Sequence, residues 1–300
     1  MDSIISPEGC GVGRESVLMN GQCFRWYANY TQQQDIQFGR SAKPGEVPFA
    51  VYIHKYKKLW IFPYGESMCS GSILNNRWII TAAHCIYKNG YYDKSAFTVY
   101  PGAQSRKHLP LGYSVDQLYA HPDYISGNET KSDIGLIKLK QWIPLPTKRQ
   151  PISLMNAICL PTNSSIKSSS SGRYTPSTGI YTPSENLNQL ALVAGFGTYG
   201  NHLHTVNRLH IGWVYIKYNN DLVSYYMTRY PKYSGTSTCS GDSGGPLYQY
   251  INGRAVLIGI ISGAEKSNTN CLNPNDYKKL ILFVRILPHL DWITNIVSNN

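Results

Sequence analysis

Three side chains in separate segments of the chain could together perform acyl-transfer chemistry. His84 ends an apolar run, Asp133 precedes another, and Ser243 lies in a glycine-rich stretch. A serine hydroxyl is a poor nucleophile unless a base takes its proton as it attacks. Histidine can act as that base because its pKa lies near neutrality, and it can later return the proton to the leaving group. Each residue alone has an ordinary structural explanation, so it is the combination that predicts a nucleophilic serine.

The sequence around these residues resembles that of the chymotrypsin-like (trypsin-family) serine proteases. The resemblance rests on Thr81-Ala-Ala-His-Cys85, on Gly241-Asp-Ser-Gly-Gly-Pro246 and on the order His, Asp, Ser along the chain. It extends over residues 36–297, nearly the whole length of the chain. Both motifs are highly specific, so the resemblance implies a particular mechanism as well as a fold.

The implied mechanism is peptide-bond hydrolysis through an acyl-enzyme on Ser243. His84 would be the general base, and Asp133 would hold its imidazole in the correct tautomer. The backbone N–H groups of Gly241 and Ser243 would form the oxyanion hole. This mechanism needs no cofactor, and no cluster of metal ligands is expected from the sequence.

The elements that must position these residues are predicted to be strands. Short apolar runs separated by glycine, proline and asparagine are typical of strands rather than helices. The runs lie at 49–53, 59–62, 77–83, 97–100, 134–139, 190–193, 211–216, 255–261 and 280–286. Many such strands are typical of barrels or sandwiches. The family resemblance implies an all-β fold of two six-stranded antiparallel β-barrels around a catalytic cleft, with a C-terminal helix.

The predicted organisation is a short lead segment followed by one peptidase domain. Residues 1–35 lack clear periodicity and are predicted to be a pro-segment or light chain, and residues 36–300 the peptidase domain. The two sub-barrels are expected roughly at 36–150 and 151–288. Residues 289–298 are predicted to be the closing helix, because Leu290, Ile293 and Val297 fall on one helical face.

Cysteines and sequons predict a secreted, disulfide-bonded glycoprotein. The chain has 7 cysteines and no Cys-x-x-Cys pair, which argues against a zinc ribbon or a thioredoxin-type site. The Asn-x-Ser/Thr sequons begin at Asn29, Asn128 and Asn163. The first ten residues contain no apolar signal core. Secretion therefore implies either a signal peptide ahead of Met1 or a native start elsewhere.

The resemblance also implies how the cysteines pair. One family bridge flanks the histidine loop, a second ties the serine loop to the wall of the specificity pocket, and a third tethers a lead segment. The corresponding cysteines are Cys69 with Cys85, Cys239 with Cys271, and Cys159 with either Cys10 or Cys23. The odd count leaves one thiol over.

Activation is predicted to need a cut before Ile36. In the family, the ammonium group freed by such a cut pairs with the aspartate before the serine, here Asp242. The residue before the cut is Asp35 rather than lysine or arginine. The resemblance therefore implies a zymogen and an activating protease of non-tryptic, acidic specificity, or a chain that stays a zymogen.

The substrate site is predicted to reject basic residues. Its residues are predicted to be Ser237, Ser262, Gly263, Ala264 and Ile281. The family resemblance places Ser237 at the base of the pocket, where a carboxylate would be needed to pair with a substrate cation. Ile281 in place of a glycine would narrow the pocket and favour small or medium apolar residues. If Asn275 is the equivalent residue instead, the pocket is polar and larger side chains fit.

Composition leaves a basic, tyrosine-rich protein. Lys plus Arg is 28 and Asp plus Glu is 17, which gives a net charge of +11, yet only 15% of residues are charged, against about 25% in an average domain. No apolar run approaches the about 18 residues of a membrane span, so no membrane insertion is expected. Basic residues occur as scattered pairs without a nucleic-acid-binding module, so no nucleic-acid partner is expected. The charge is instead expected to favour acidic surfaces such as sulfated glycans.

The main alternative function is that of a catalytically silent protease homologue acting as a binding or regulatory protein. Asp35 at the activation site and the obstruction expected from Ile281 favour it. The presence of His84, Asp133 and Ser243 together argues against it, because silent homologues usually lose one of these three.

Overall fold

The structure is a computed structural model that describes 13 stretches of the chain. These are residues 10–11, 40–59, 62–88, 93–125, 132–146, 155–161, 189–199, 204–205, 207–220, 224–228, 238–251, 253–264 and 281–300. The strands are β1 (Arg40–Ser41), β2 (Ala50–Leu59), β3 (Phe62–Ile73), β4 (Trp78–Thr81), β5 (Phe97–Pro101), β6 (Tyr113–Ala120), β7 (Gly135–Leu139), β8 (Gln189–Gly195), β9 (Thr198–Tyr199), β10 (His204–Thr205), β11 (His210–Asn220), β12 (Ser224–Thr228), β13 (Pro246–Ile251), β14 (Arg254–Ala264) and β15 (Ile281–Arg285). The α-helices are α1 (Ala83–Ile86) and α2 (Leu290–Asn299), and 3-10 turns span Lys94–Ala96 and Leu287–His289.

The first barrel is closed by six antiparallel strands. Its strands follow one another in the order β2, β3, β4, β7, β6 and β5, and β5 pairs back onto β2. β5 alternates buried and partly buried residues, as expected for a strand with one face on a core. All four residues of β4 are buried, and α1 follows β4 directly. This barrel therefore holds His84, on α1, against its own core.

The second barrel is a ring of six strands with a seventh alongside. The order is β11, β12, β15, β14, β13 and β8, and β8 also pairs with β11, which closes the ring. β1 adds to the outer edge of β11. Every pairing in both barrels is antiparallel, so the predicted all-β fold of two six-stranded barrels is confirmed. A separate small sheet pairs β9 with β10.

The chain ends on the predicted helix. α2 begins at Leu290, directly after the 3-10 turn, and buries Ile293 and Val297 on one face. The apolar spacing therefore predicted this helix correctly to within a residue at each end. No helix within the described stretches is long and apolar enough to cross a membrane.

The apolar runs indicate some strand positions and not others. The predicted run at 59–62 includes the last residue of β2, Leu59, and the first residue of β3, Phe62, and these two residues pair with each other. β6 and β13 were not predicted, because tyrosine, serine and glutamine interrupt their apolar residues. Their burial depends on neighbouring strands rather than on local pattern.

Candidate active site

A buried carboxylate lies at the centre of the site. Asp133 lies just before β7 in the chain. Its side chain is fully buried and points towards α1. Its Oδ1 accepts the backbone N–H of His84 at 2.8 Å, and its Oδ2 lies 2.7 Å from Nδ1 of the same histidine. These two contacts fix the position and the ring orientation of His84. With Nδ1 donating to the carboxylate, Nε2 is left as the proton acceptor.

A third donor on the same carboxylate comes from the second barrel. Ser262, which is 1% exposed, donates its hydroxyl to Oδ2 of Asp133 at 2.6 Å. The pairing of β14 with β15 shifts register between Ile261 and Gly263, so Ser262 lies at a β-bulge. A bulge re-aims side chains at the rim of a barrel, and here it accompanies a hydroxyl that joins the two barrels.

The segment before Asp133 is held by a histidine from the C-terminal turn. Ser132 has a φ of 51°, the left-handed region, and its hydroxyl lies 3.3 Å from Nε2 of His289. Nδ1 of His289 donates to the carbonyl of Arg285 at 2.8 Å. Burial is the main reason that the pKa of His289 is lowered. The neutral ring thus satisfies both contacts and fixes the loop that leads into Asp133.

The serine lies in a tight turn, residues 239–245, which we call the nucleophile loop. Gly241 and Gly244 have φ values of 99° and 82°, where a side chain would be strained. A Cβ on Gly244 would also collide with the backbone of Ser70 and the hydroxyl of Thr81. Ser243 accepts the backbone N–H of Ser70 through its carbonyl oxygen at 2.8 Å. The loop can therefore pass this close to the first barrel only with glycine after the serine.

A disulfide lies beside both the histidine and the serine. Cys69 and Cys85 are bonded, as predicted. Sγ of Cys85 lies 3.7 Å from Nε2 of His84 and 3.6 Å from the carbonyl oxygen of Ser243. Ligand atoms of the two cysteines and His84 lie within 4.8 Å of one another. Because the sulfurs are bonded to each other, they are not thiolates and this group is not a metal site.

Asp242 points away from the serine into a cradle formed by two glycines. Its Oδ1 accepts the N–H of Gly197 at 2.7 Å and its Oδ2 that of Cys239 at 2.9 Å. A Cβ on Gly195 or on Gly197 would collide with the carboxylate. Burial raises the pKa of Asp242 to about 6, and the two N–H donors offset part of that rise. The motif Gly195-Phe-Gly197 is the sequence signal for this cradle, and sequence reasoning missed it.

The predicted pocket residues are only partly within the described stretches. Gly263 pairs with Leu282 and Ala264 with Ile281 at the end of β14. Ile281 is 2% exposed and packs in an apolar cluster with Val214, Leu247, Ile258, Ile261 and Phe283, among others. Its side chain is therefore packed inside the second barrel. Ser237 and Asn275 lie outside the described residues.

The lead segment is joined to the second barrel by a disulfide. Of the two partners considered for Cys159, the structure selects Cys10. The adjoining Gly11 donates its N–H to the carbonyl of Ala157 at 2.6 Å and accepts the N–H of Ala255 at 2.9 Å. Cys239 is also disulfide-bonded, and its partner lies outside the described residues, as does the expected Cys271. The other predicted residues outside the described stretches are Cys23, Asp35, Ile36, Asn29, Asn128 and Asn163.

The fold and the site together point to one class of protein. Two barrels meet at a buried aspartate–histidine pair beside a glycine-rich serine loop. The family profile described as Trypsin matches residues 36–293, more than half of the chain. The chain therefore belongs to the trypsin family, the chymotrypsin-like serine proteases, and the family predicted from its motifs is confirmed.

Among individual proteins, the chain is similar to arthropod members of this family. It is 28% identical over 294 residues to "Clotting factor C" of Tachypleus tridentatus, with 86% of this chain and 25% of the relative covered. The values for "Limulus clotting factor C" of Carcinoscorpius rotundicauda are the same. It is also 28% identical over 243 residues to "Venom peptide isomerase heavy chain" of Agelenopsis aperta, with 75% of this chain and 87% of the relative covered. The chain thus spans a quarter of the length of the clotting factors it matches.

Proposed function

We propose that this chain is a serine endopeptidase that works through an acyl-enzyme. The observation that carries the proposal is the carboxylate of Asp133, fully buried and bonded at once to His84 and Ser262. A buried charge is costly unless it is paired and hydrogen-bonded. An aspartate in this position therefore supports an imidazole that must become positively charged during the reaction.

In the proposed reaction, Ser243 Oγ attacks the carbonyl carbon of the scissile peptide while Nε2 of His84 takes its proton. The carbonyl oxygen becomes an oxyanion, stabilised by the N–H groups of Gly241 and Ser243. The imidazolium then gives its proton to the leaving amine, and the peptide C–N bond breaks to leave an ester on Ser243. Water, activated by His84 in the same way, hydrolyses the ester and restores the hydroxyl.

The zymogen proposal is that cleavage between Asp35 and Ile36 activates the chain. Ser41 lies opposite His210, and His210 lies opposite Gly195, which forms part of the cradle of Asp242. Two strand spacings amount to about 10 Å. The segment from Ile36 to Ser41 can span up to about 17 Å. This reach supports pairing of the freed ammonium with Asp242, and an activator that cuts after an acidic residue would be needed.

Residues 1–35 would then form a light chain that stays attached after the cut. The disulfide between Cys10 and Cys159 supports this arrangement, because it crosses from the lead segment to the peptidase domain, residues 36–300. Secretion and glycosylation at Asn29, Asn128 and Asn163 are part of the same proposal. Two disulfides among the described cysteines agree with an oxidising compartment.

The specificity proposal is a pocket for a small or medium apolar residue before the scissile bond. The basis of this proposal is the isoleucine at position 281, where the family resemblance places a glycine. Its side chain packs in the apolar cluster of the second barrel. Ser237 offers no charge for a lysine or arginine side chain, and an unpaired substrate cation would be expensive to bury.

Covalent labelling tests activity and specificity together. After cleavage before Ile36, a peptide phosphonate with alanine or valine at the recognition position should label Ser243 at least about 10-fold faster than its arginine counterpart, since burying an unpaired cation costs several kcal/mol. The Ser243→Ala variant should take no label. The proposed apolar specificity would be contradicted if the arginine phosphonate labelled Ser243 fastest.

The rival proposal is a silent homologue that acts as a binding protein. Asp35 at the cleavage point and the buried Ile281 favour it. Absence of label from a chain shown by sequencing to start at Ile36 would support the binding protein and overturn the endopeptidase.

The proposed partner that the net charge of +11 favours is an acidic glycan. Lys107, His108 and Arg208 are exposed on two loops that meet where Arg106 donates its N–H to the carbonyl of Asn207 at 2.7 Å. Sulfate groups would be attracted to this surface, and salt would weaken the attraction. The protein should elute from heparin at higher salt than from a sulfopropyl column of equal charge density. Elution from both columns at the same salt concentration would contradict the glycan proposal.

A further inference from the structure

We propose that Ser70 is a positioning residue, one that holds the nucleophile loop in its catalytic shape from the first barrel. This inference rests on the endopeptidase function proposed above. Ser70 lies in β3 and is 2% exposed, yet each of its polar atoms is hydrogen-bonded. Its hydroxyl donates to the carbonyl of Gly241 at 2.9 Å and accepts the N–H of Phe196 at 3.2 Å.

The main chain of Ser70 completes the arrangement. Its N–H donates to the carbonyl of Ser243 at 2.8 Å, and its carbonyl accepts the hydroxyl of Thr81 at 2.8 Å. Gly241 and Ser243 are the two residues whose N–H groups are proposed to stabilise the oxyanion. One residue of the first barrel therefore binds the carbonyl of each of them.

Binding those carbonyls limits how the loop can rotate. Gly241 has a φ of 99° and no side chain, so its own sterics restrict it little. A hydrogen bond to its carbonyl restrains rotation about the Cα–C bond, and the neighbouring N–H groups move with the loop. Donors that are already aimed before the charge develops need no reorganisation during reaction. The hydroxyl of Ser70 thus contributes to preorganisation of the oxyanion hole.

The same hydroxyl connects the loop to the cradle of Asp242. Phe196, which donates to Ser70, lies between Gly195 and Gly197, the two glycines against the Asp242 carboxylate. Ser70 therefore bridges the oxyanion side and the activation side of the loop. The sequence separations, 171 residues to Gly241 and 126 to Phe196, mean that no local pattern could reveal this bridge.

The test is a comparison of kcat and KM in serine variants of β3. Ser70→Ala keeps the backbone bond to Ser243 and removes only the hydroxyl. It should lower kcat by about 10-fold to 100-fold, less than the about 10²–10³ for loss of an oxyanion donor itself. KM should change less than about two-fold, because the interaction is stronger in the transition state. Affinity for a peptide boronate, which becomes tetrahedral on serine, should fall in parallel with kcat.

Two variants serve as controls. Ser72→Ala removes a second serine of the same strand, which is 1% exposed and lies opposite Ala50 and Ile80 on the neighbouring strands. This variant should leave kcat within about two-fold. Ser70→Thr keeps the hydroxyl and should retain kcat within about three-fold. If Ser70→Ala does not fold, Ser70→Gly removes the same hydroxyl and carries the same expectation.

The outcomes separate this proposal from the function on which it rests. A wild-type chain that neither labels nor turns over substrate overturns the endopeptidase itself. An active wild type with unchanged kcat in folded Ser70→Ala overturns the positioning role alone. A folded Ser70→Thr as slow as Ser70→Ala also overturns it, because the hydroxyl would then not be what matters.

Discussion

Replacing Asp133 by asparagine should lower kcat/KM of the processed chain by about 10⁴-fold. This magnitude is the one known for the aspartate of the trypsin family. The structure supplies the reason why it applies here. Oδ1 accepts the fixed backbone N–H of His84 at 2.8 Å, so the amide oxygen of an asparagine must take that position. The amide NH₂ must then take the position of Oδ2.

An NH₂ group at the Oδ2 position would reverse the tautomer of His84. It would donate to Nδ1 of His84, which now lies 2.7 Å from Oδ2, and so place the ring proton on Nε2. A protonated Nε2 cannot accept the proton of Ser243. The same NH₂ would also face the hydroxyl of Ser262, which would lose its acceptor. The loss should therefore appear in kcat, with KM nearly unchanged.

Steady-state kinetics on the processed variant check this result. Ser262→Ala is the matched control, because it removes one donor and leaves the carboxylate and the tautomer intact. It should cost less than about 100-fold, in line with one lost hydrogen bond to a charged group. Circular dichroism should show both variants folded. If Asp133→Asn lost less activity than Ser262→Ala, the assignment of Asp133 as the orienting residue would be wrong.

Replacing Asp242 by asparagine should have opposite effects on the two forms of the chain. In the chain cut before Ile36, it should lower kcat/KM by about 10²–10³-fold. The reason is that breaking a buried ion pair costs about 3–5 kcal/mol and would release the nucleophile loop. The matched control is Asp123→Asn, an aspartate whose side chain is 67% exposed, which should leave activity unchanged.

In the uncut chain, the same change should gain stability relative to the parent as pH rises through about 6, on top of a pH-independent cost because its NH₂ faces one of the two backbone N–H donors. Burial raises the pKa of Asp242 from 3.8 to about 6, so the folded state holds the proton more tightly than the unfolded state. That contribution to stability is complete below about pH 4 and is lost as pH rises through about 6. Asparagine does not ionise and avoids this loss, which amounts to about 2–3 kcal/mol at about 1.4 kcal/mol for each unit.

Thermal unfolding at pH 5 and pH 8 measures this effect. The uncut Asp242→Asn chain should gain more stability over the parent at pH 8 than at pH 5. An uncut parent chain that already has full activity would contradict the activation proposal. A stability difference between the uncut variant and the parent that is no more favourable at pH 8 than at pH 5 would mean that the carboxylate is not the buried charge that the cradle geometry implies.

The sequence was most informative where chemistry restricts residue type. A serine nucleophile, its base and its orienting carboxylate tolerate few substitutions, and the glycines around Ser243 are set by positive φ values and close backbone contacts. The motifs therefore predicted the family, the two barrels and the neighbourhood of His84 and Asp133. The apolar spacing of α2 predicted its buried face through Ile293 and Val297.

Local pattern failed where burial comes from partners distant in the chain. β6 and β13 carry mixed polar residues and do not form apolar runs. The choice of Cys10 for Cys159 joins residues 149 apart, and spacing alone left two candidates open. Hydrophobic periodicity is a property of a single segment. It carries no information on which other segment will pack against that one.

The residue types and their spacing were enough to predict the fold and to suggest the reaction that is proposed for this chain. Folding shows that the nucleophile loop is held by the hydroxyl of Ser70 and by the cradle of glycines around Asp242. It also shows that Ser262 donates to the carboxylate of Asp133. It also decided that Ile281 is buried among apolar side chains. This difference arises because a motif specifies which atoms can react, whereas their pKa, their orientation and the space around them depend on groups that come within hydrogen-bonding distance only on folding.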